Sequence, residues 1–385
     1  MLASGKSMAA TSTQTDDLIP VWLLGSSFGL RGSSLYTLRL ARHLHEYGFH
    51  PTIICESAAS LPSRAHDELD IHEIPHLTRP YLRSLSTWAM FRHLKDDLKK
   101  KPPALIHAQR RHIDDVAVEL ADRLDCPYVV TVDDIIPVQE SLRIQPDRLR
   151  AIIAVSPTIE RDLVLGAGVP QELVKMIPTG VELPPMPRLP TARSENRIPI
   201  VGTACALEPV KGVTYFLMAA ELILSAGHDV EFLVAGSGPD EEILRRSARH
   251  LDIANRVTFI DHVPDHVALL ETVDVFVVPS LEQGLGTVMI EAMALGKPVV
   301  ATRVGGIKDF FVDNVHALLV PRANHIALAE KIRYLLDNPT RSRQLAIAGQ
   351  EFVRQHFSAD EMTRQTASLY RAVLGEPSLQ TTASR

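Results

Sequence analysis

The stretch Pro279–Val300 reads PSLEQGLGTVMIEAMALGKPVV and carries the densest pattern in the chain. An apolar strand ends at its first proline, a turn with two glycines follows, and a helix begins near Thr287. Small residues in such a turn let backbone N–H groups approach an anion, and the helix N-terminus adds a favourable dipole. The stretch therefore predicts one strand–turn–helix unit of an α/β protein, with a turn suited to an anion.

The same alternation of strand and helix extends outward in both directions, as in repeated βα units. In the N-terminal half, strands are predicted at residues 19–24, 51–55, 104–107, 128–132 and 151–155, and a helix at 34–47. In the C-terminal half, strands are predicted at residues 198–202, 230–235, 256–260, 273–279 and 297–301, and helices at 213–225, 241–250, 287–295, 326–336 and 359–373. Two such parallel sheets, facing each other at the carboxyl ends of their strands, would enclose a cleft.

A proline-rich stretch divides the chain into two α/β domains. The predicted order is a disordered leader at residues 1–17, a Rossmann-like domain at 18–183, a linker at 184–197, a second Rossmann-like domain at 198–357, a helix at 358–375 that packs back on the first domain, and a disordered tail at 376–385. Prolines at 184, 185, 187 and 190 place the linker, because proline continues neither a helix nor a central strand.

Composition narrows the class of protein. The net charge of −6 gives no electrostatic reason to expect nucleic-acid binding. The three cysteines lack metal-ligand spacing, and their odd number argues against a disulfide framework and favours a reducing compartment. No apolar run is long enough to cross a bilayer. We therefore expect a cytoplasmic protein. A basic segment around Trp88–Leu98 is compatible with peripheral contact with a membrane, or with an ordinary solvated helix face.

The Pro279–Val300 motif resembles the donor-site signature of retaining glycosyltransferases of family 4, which have the GT-B fold. Further resemblances follow in the family's order along the chain. They lie at residues 154–156, 177–182, 201–212, 233–239 and 257–263. The resemblance implies transfer of a hexose from a UDP- or GDP-sugar, with retention of configuration and without a metal or other cofactor. It makes the N-terminal domain the acceptor side and the C-terminal domain the donor side.

Residue roles follow from the resemblance. Lys211 is expected at the leaving diphosphate, since charge develops there as the bond breaks. The other expected catalytic residues are Gln283, Glu282 and Asp133, and His107 is a candidate on the acceptor side. Expected donor contacts are Gly32, Ser33, Gly236, Gly238, Gly284, Leu285, Gly286, Thr287 and Glu291, with Glu291 on the ribose hydroxyls. The expected acceptor is a glycan, a lipid-linked glycan or a small molecule.

Three positions depart from the family pattern. Ala206 stands where an arginine usually accompanies the lysine, Gln283 replaces a glutamate, and Asp133 replaces a histidine. Arg31 or Arg303 would be substitutes for the missing arginine. One alternative is therefore a weak or inactive homologue that binds a nucleotide or glycan as a partner protein. A sugar epimerase or glycan phosphorylase is another, whereas a nicotinamide-dependent oxidoreductase is disfavoured because neither half has Gly-x-Gly-x-x-Gly after its first strand.

Overall fold

The structure is a computed structural model that describes residues 18–28, 32–59, 61, 63–77, 91–92, 101–136, 147–186, 197–261 and 266–377. The predicted leader, Arg31, nearly all of the basic segment around Trp88–Leu98, and the end of the predicted tail lie outside these residues. Within the described ranges, no helix has the length and apolar character needed to span a membrane.

The described part of the N-terminal half contains a seven-stranded parallel sheet in the order β3-β2-β1-β4-β5-β6-β7. The strands are β1 (Ile19–Leu24), β2 (Phe49–Cys55), β3 (Asp70–Glu73), β4 (Leu105–Ala108), β5 (Tyr128–Val132), β6 (Leu149–Ala154) and β7 (Val174–Met176). The order reverses between β1 and β4, so the loops after these two strands lie at the switch point, where ligands bind in open α/β sheets.

The C-terminal half repeats the arrangement with six described parallel strands in the order β10-β9-β8-β11-β12-β13. They are β8 (Ile200–Ala204), β9 (Glu231–Ala235), β10 (Val257–Ile260), β11 (Val275–Val278), β12 (Val299–Thr302) and β13 (Leu318–Val320). Here the switch point lies between β8 and β11, the two strands whose loops carry Lys211 and the glycine turn.

Helices connect the strands and cover both sheets. Those of the N-terminal half are α1 (Gly32–Leu44), α2 (Ser63–Glu68), α3 (Asp114–Leu124) and α4 (Pro157–Arg161). Those that follow are α5 (Val213–Ser225), α6 (Glu241–His250), α7 (His266–Thr272), α8 (Thr287–Ala294), α9 (Gly305–Phe310), α10 (His325–Asp337), α11 (Pro339–His356) and α12 (Ala359–Leu374).

Alternation along the central strands separates the cores on the two faces of each sheet. In β1, Trp22 and Leu24 join one apolar cluster, whereas Val21 and Leu23 join another, as the two-residue period of a strand requires. The cluster on the Trp22 face continues into the C-terminal domain. The two domains therefore share apolar packing as well as polar contacts.

The C-terminal helix α12 returns to the N-terminal domain. Its residues Met362, Ala367 and Tyr370 are buried in the cluster that contains Val21 and Leu23. The chain crosses between the domains beside Val181, whose N–H donates to Phe357 O at 2.8 Å and whose carbonyl accepts from Ala359 N at 2.9 Å. Helix α12 follows the C-terminal domain in the sequence but is packed on the N-terminal domain.

Some helices and strands were not predicted because their sequences lack a long apolar pattern. The edge strands β3, β7 and β13 have only three or four residues each. Helix α11 was not predicted because its buried face includes Gly349 and Gln350, which interrupt the apolar repeat. The predicted ends of the other strands lie within two residues of the observed ends, as expected where strands fray into loops.

Candidate functional site

The glycine turn between β11 and α8 is held rigidly. Thr302 Oγ1 donates to Ser280 O at 2.5 Å, and Ser280 Oγ lies 3.2 Å from Gln283 Oε1. Gly286 precedes α8 with a φ of 95°, a left-handed conformation that glycine adopts without steric cost. The first backbone N–H groups of α8 are therefore presented at the carboxyl edge of the sheet, where they can receive an anion.

Lys211 reaches this turn from the neighbouring loop. The two loops join where Leu281 N donates to Val210 O at 2.8 Å. A Cβ on Gly212 would lie only 2.2 Å from Pro279 O, so glycine permits this approach. Lys211 Nζ donates to Gln283 Oε1 at 3.2 Å. The structure thus brings together two of the four predicted catalytic residues, while the side chain of another, Glu282, is exposed.

The glycines after β9 serve close packing between loops. A Cβ on Gly236 would lie 1.9 Å from Cys205 O, and one on Gly238 would lie 2.4 Å from Leu207 O. Leu207 N also donates to Ser237 O at 3.0 Å. Both glycines therefore allow residues 236–238 to lie against the loop that leads to Lys211, and they position that loop.

The N-terminal domain contacts the glycine turn directly. The position of a Cβ on Gly284 would be 1.9 Å from the carbonyl oxygen of Asp133. The Gly284 carbonyl accepts from Ser156 Oγ at 3.0 Å and from Gly306 N at 2.8 Å. The predicted donor turn and the loop after β5 are consequently in van der Waals contact, and Asp133 lies on the opposite side of the cleft from Gly284.

Asp133 is paired with an arginine that the sequence reasoning missed. Its Oδ2 is 3.6 Å from Arg110 Nε, and the neighbouring Asp134 accepts two hydrogen bonds from Arg111 at 3.0 and 3.3 Å. Burial raises the pKa of Asp133, although the Arg110 guanidinium acts in the opposite direction. Two arginines directly after the end of β4 were the available signal, because this edge of the sheet faces the cleft.

The pKa of Asp134 shifts in the opposite direction to that of Asp133. Burial would raise its pKa, but hydrogen bonds with His112 and Arg111 outweigh burial and lower the pKa to about 2. The Asp134 carboxylate therefore stays ionised at neutral pH, and with Arg111 it forms a fixed ion pair beside the cleft.

The two expected substitutes for the missing arginine stay predictions. Arg31 lies outside the described residues, and Arg303 is 56% exposed with Asp313 Oδ2 at 3.6 Å. Gly32 is the first residue of α1, so the helix begins two residues before the predicted start at 34, and the side chain of Ser33 is outside the described set. Arg110 is instead the cation that the structure places next to Asp133.

Glu291 lies one turn into α8 and is held by the other domain. Its carboxylate pairs with the guanidinium of Arg39 on α1, and the two side chains are 6% and 5% exposed. Thr287 stands four residues earlier, at the first position of α8, and Leu285 is buried beneath the turn. The predicted ribose contact thus lies at the junction of the domains.

His107 does not face the cleft, and that expectation was wrong. Its side chain is 0% exposed, with Nδ1 at 2.5 Å from Tyr370 Oη and Nε2 at 2.8 Å from Thr131 Oγ1. Burial lowers the pKa of His107 to about 3, so the ring is neutral at physiological pH. Its contacts join β4, β5 and α12, and it therefore serves to dock the C-terminal helix.

This burial predicts a pH-dependent stability. The native pKa of about 3 lies below the unfolded value of about 6.5, so only the unfolded state takes up a proton between these values. The free energy of unfolding should therefore fall by about 1.4 kcal/mol from pH 7.5 to 5.5 through His107 alone. Urea unfolding at both pH values should show this dependence reduced in His107→Gln and retained in the exposed-site control His66→Gln. An unchanged dependence in His107→Gln would contradict the assignment.

The glycine pair Gly305-Gly306 is a further part of the site that sequence reasoning missed. A Cβ on Gly305 would lie 1.5 Å from Gln283 O, and its φ is 48°. A glycine pair in the short loop between β12 and α9 was the signal that could have identified it. Within the described ranges, no three His, Cys, Asp or Glu side chains converge in a way that could hold a metal ion.

Comparison with known proteins shows which domains these are. Residues 191–352 match the family model described as "Glycosyl transferases group 1", and residues 30–183 match that described as "Glycosyltransferase Family 4". The structure of Anabaena Alr3699/HepE in complex with UDP and glucose superposes with a TM-score of 0.77, at 18% identity, covering 92% of this chain and 100% of that one. The chain therefore has two Rossmann-like domains in the GT-B arrangement.

Two curated relatives extend the comparison. The 2-deoxystreptamine glucosyltransferase of Streptomyces kanamyceticus is 27% identical, over 88% of this chain and 98% of that protein. Staphylococcus aureus CapM, a capsular polysaccharide biosynthesis glycosyltransferase, is 30% identical over 46% of this chain and 47% of its own length. The similarity to CapM thus spans about half of each protein.

Proposed function

Because the chain carries a glycosyl transferases group 1 domain and a glycosyltransferase family 4 domain in one GT-B fold, we propose that it is a glycosyltransferase. It moves a hexose from a UDP- or GDP-sugar to a hydroxyl of a glycan, a lipid-linked glycan or a small molecule. Retention of configuration and independence of metal ions are part of the proposal and follow from the resemblance to family 4.

The contact between Lys211 and Gln283 is the observation that carries this proposal. The ammonium group lies 3.2 Å from the carboxamide oxygen, beside the N-terminus of α8. A lysine and free backbone N–H groups together suit a diphosphate, which is the group that leaves in transfer from a nucleotide sugar. Glu291, one turn further into α8, suits the two hydroxyls of the adjoining ribose.

The proposed reaction breaks the bond between the anomeric carbon and the oxygen of the β-phosphate. The electron pair stays on that oxygen, the acceptor hydroxyl forms the new bond to the anomeric carbon, and its proton is released. Lys211 and the N-terminus of α8 stabilise the charge that develops on the diphosphate. In this proposal Gln283, which accepts from Lys211, and the exposed Glu282 contact sugar hydroxyls beyond the diphosphate.

Arg110 offsets the negative charge of Asp133, the feature of the site least compatible with a diphosphate. Asp133 would repel a diphosphate, and Ala206 supplies no charge to offset it. The guanidinium of Arg110 lies against the Asp133 carboxylate, so the pair has no net charge when both groups are ionised. Arg110 thus offsets the repulsion expected from Asp133, and the positive charge toward the diphosphate in the loop after β8 comes from Lys211 alone among these residues.

The names of similar proteins support the same class of donor. One relative is named a glucosyltransferase, and the similar solved structure holds UDP and glucose. UDP is therefore the first nucleotide to test. One relative is named for 2-deoxystreptamine and another for capsular polysaccharide biosynthesis, so the range of acceptors to test is broad.

Thermal unfolding with UDP, GDP and ADP, each with and without EDTA, tests the donor site. A nucleotide at a hundred times its Kd should add about 2.7 kcal/mol to the free energy of unfolding, which raises the Tm measurably. We expect a rise with one base, unchanged by EDTA and retained in the exposed-site control Lys175→Ala. No rise with any nucleotide would contradict the proposed function.

A weak or inactive homologue is the second candidate, and Ala206 together with Asp133 favours it. Such a protein would bind a nucleotide or a glycan without transferring sugar. The same melts distinguish the cases when they are followed by an assay of UDP or GDP release: a raised Tm without release, across a panel of sugar donors and acceptors, favours the partner protein.

A further inference from the structure

A buried ion pair links the two domains at the expected ribose site. One guanidinium nitrogen of Arg39 contacts Glu291 Oε1, and the other donates to the carbonyl of Gly180 at 3.2 Å. The two partners are 252 residues apart in the sequence and nearly inaccessible to water, with 5% and 6% exposure. Arg39 thus connects α1 and the end of the N-terminal domain with a helix of the C-terminal domain.

The neighbours of Arg39 on α1 are apolar. Leu38 and Leu40 are both buried, so the arginine interrupts a run of core residues. Taking two charges out of water is costly, and well-packed apolar residues often stabilise a protein as well as a buried ion pair does. A contribution to stability is therefore a weak explanation for this pair. The position of Glu291 at the expected ribose contact suggests a role in binding the donor.

We propose that Arg39 is a positioning residue that orients Glu291 toward the ribose of the donor, and this inference rests on the proposed function. An ionised carboxylate has two oxygens with about four acceptor positions, so Glu291 can accept from Arg39 and from sugar hydroxyls together. Since Arg39 belongs to the opposite domain, recognition of the ribose depends on closure of the cleft.

A second contact between the domains, whose arginine is 55% exposed, provides a control. Arg161 in α4 pairs with Asp309 in α9 at 3.1 Å, and Thr158 N donates to the same carboxylate at 2.8 Å. This pair also joins the domains through an arginine, but it does not involve Glu291. Arg161→Met removes an arginine between the domains without touching the expected ribose contact.

The test measures the preference for ribose over 2′-deoxyribose. Isothermal titration gives the Kd of UDP and 2′-deoxy-UDP, and of GDP and 2′-deoxy-GDP, for the unmodified protein, Arg39→Met, Arg39→Lys and Arg161→Met. A hydrogen bond to a charged group predicts a preference of about tenfold or more for the ribonucleotide. We expect that preference to fall to about threefold or less in Arg39→Met, to recover partly in Arg39→Lys, and to persist in Arg161→Met.

The ratio of two affinities on one protein is independent of the folded fraction, so a general loss of stability does not imitate this result. Arg39→Lys keeps the charge and supplies a second variant if Arg39→Met folds poorly. An unaltered preference in both variants overturns the role of Arg39 and leaves the proposed function standing. Absence of nucleotide binding by the unmodified protein overturns both proposals.

Discussion

Replacing Lys211 with alanine is expected to lower kcat/KM for sugar transfer by about 100- to 1,000-fold, the range seen when one donor is removed from a developing oxyanion. Ala206 offers no second positive charge in the loop after β8, so under the proposed function Lys211 is the side chain of that loop expected to interact with the diphosphate. Its Nζ is already fixed at 3.2 Å from Gln283 Oε1, and little reorganisation is needed when the donor binds. The measurement is the initial rate of nucleoside diphosphate release with the donor identified by melting.

Two controls separate charge from folding. Lys175→Ala removes an exposed lysine on the edge strand β7 and should leave the rate unchanged. Lys211→Arg keeps the charge with a different shape and should retain more activity than Lys211→Ala. Activity of Lys211→Ala within about threefold of the unmodified rate would show that the diphosphate is stabilised elsewhere, with Arg110 as the first residue to examine.

Replacing Gly284 with alanine is expected to lower kcat/KM by about 100-fold, since a displacement of about 1 Å at a reacting centre can cost that much. The added Cβ would lie 1.9 Å from Asp133 O, and the three nearest atoms all belong to Asp133 and Asp134. The contact that must yield is therefore between the domains, and the cleft would be held open by more than an ångström.

The corresponding control is Gly166→Ala, where a Cβ meets nothing within 4 Å. Gly284→Ala should leave the folded domains nearly as stable in urea unfolding, because the clash is relieved by separating them. Small-angle scattering should show a slightly larger radius of gyration for Gly284→Ala than for Gly166→Ala. If Gly284→Ala kept its activity and its radius of gyration, the glycine turn could move without affecting catalysis, and the prediction would be wrong.

Both predictions concern a site assembled from loops at the carboxyl edges of two sheets. Gly284 meets Asp133 and Ser156, and Glu291 meets Arg39. Each contact pairs a feature of the C-terminal domain with a residue of the N-terminal domain. Closure of the cleft is thus connected to the geometry of the glycine turn and of the expected ribose contact.

Local sequence was sufficient for the central elements. The apolar runs at residues 19–24 and 128–132 and the helices at 213–225 and 241–250 were predicted with their observed bounds. In these segments, apolar periodicity and adjacent glycine or proline act over one element, so neighbouring residues contain the necessary information. The predicted roles of Lys211 and Gln283 also came from local motifs, since each residue lies in the loop that follows a strand at the switch point.

Other features depended on contacts between distant residues. His107 has the same strand-end position as a cleft residue, yet Tyr370, 263 residues later, covers it and bonds its ring. No pattern near Arg39 identifies Glu291 as its partner, because that pairing arises only when the domains dock. Arg110 acquires its place beside Asp133 through the pairing of β4 with β5.

The sequence by itself therefore determined two α/β halves, their principal strands and helices, and a glycine turn suited to an anion before α8. Tertiary structure decided which side chains line the cleft and which are buried, and it set the Arg39–Glu291 and Gly284–Asp133 contacts. The physical reason is range: backbone conformation and apolar periodicity are local, whereas burial, ion pairing and steric contact depend on surfaces that meet only after both domains have folded.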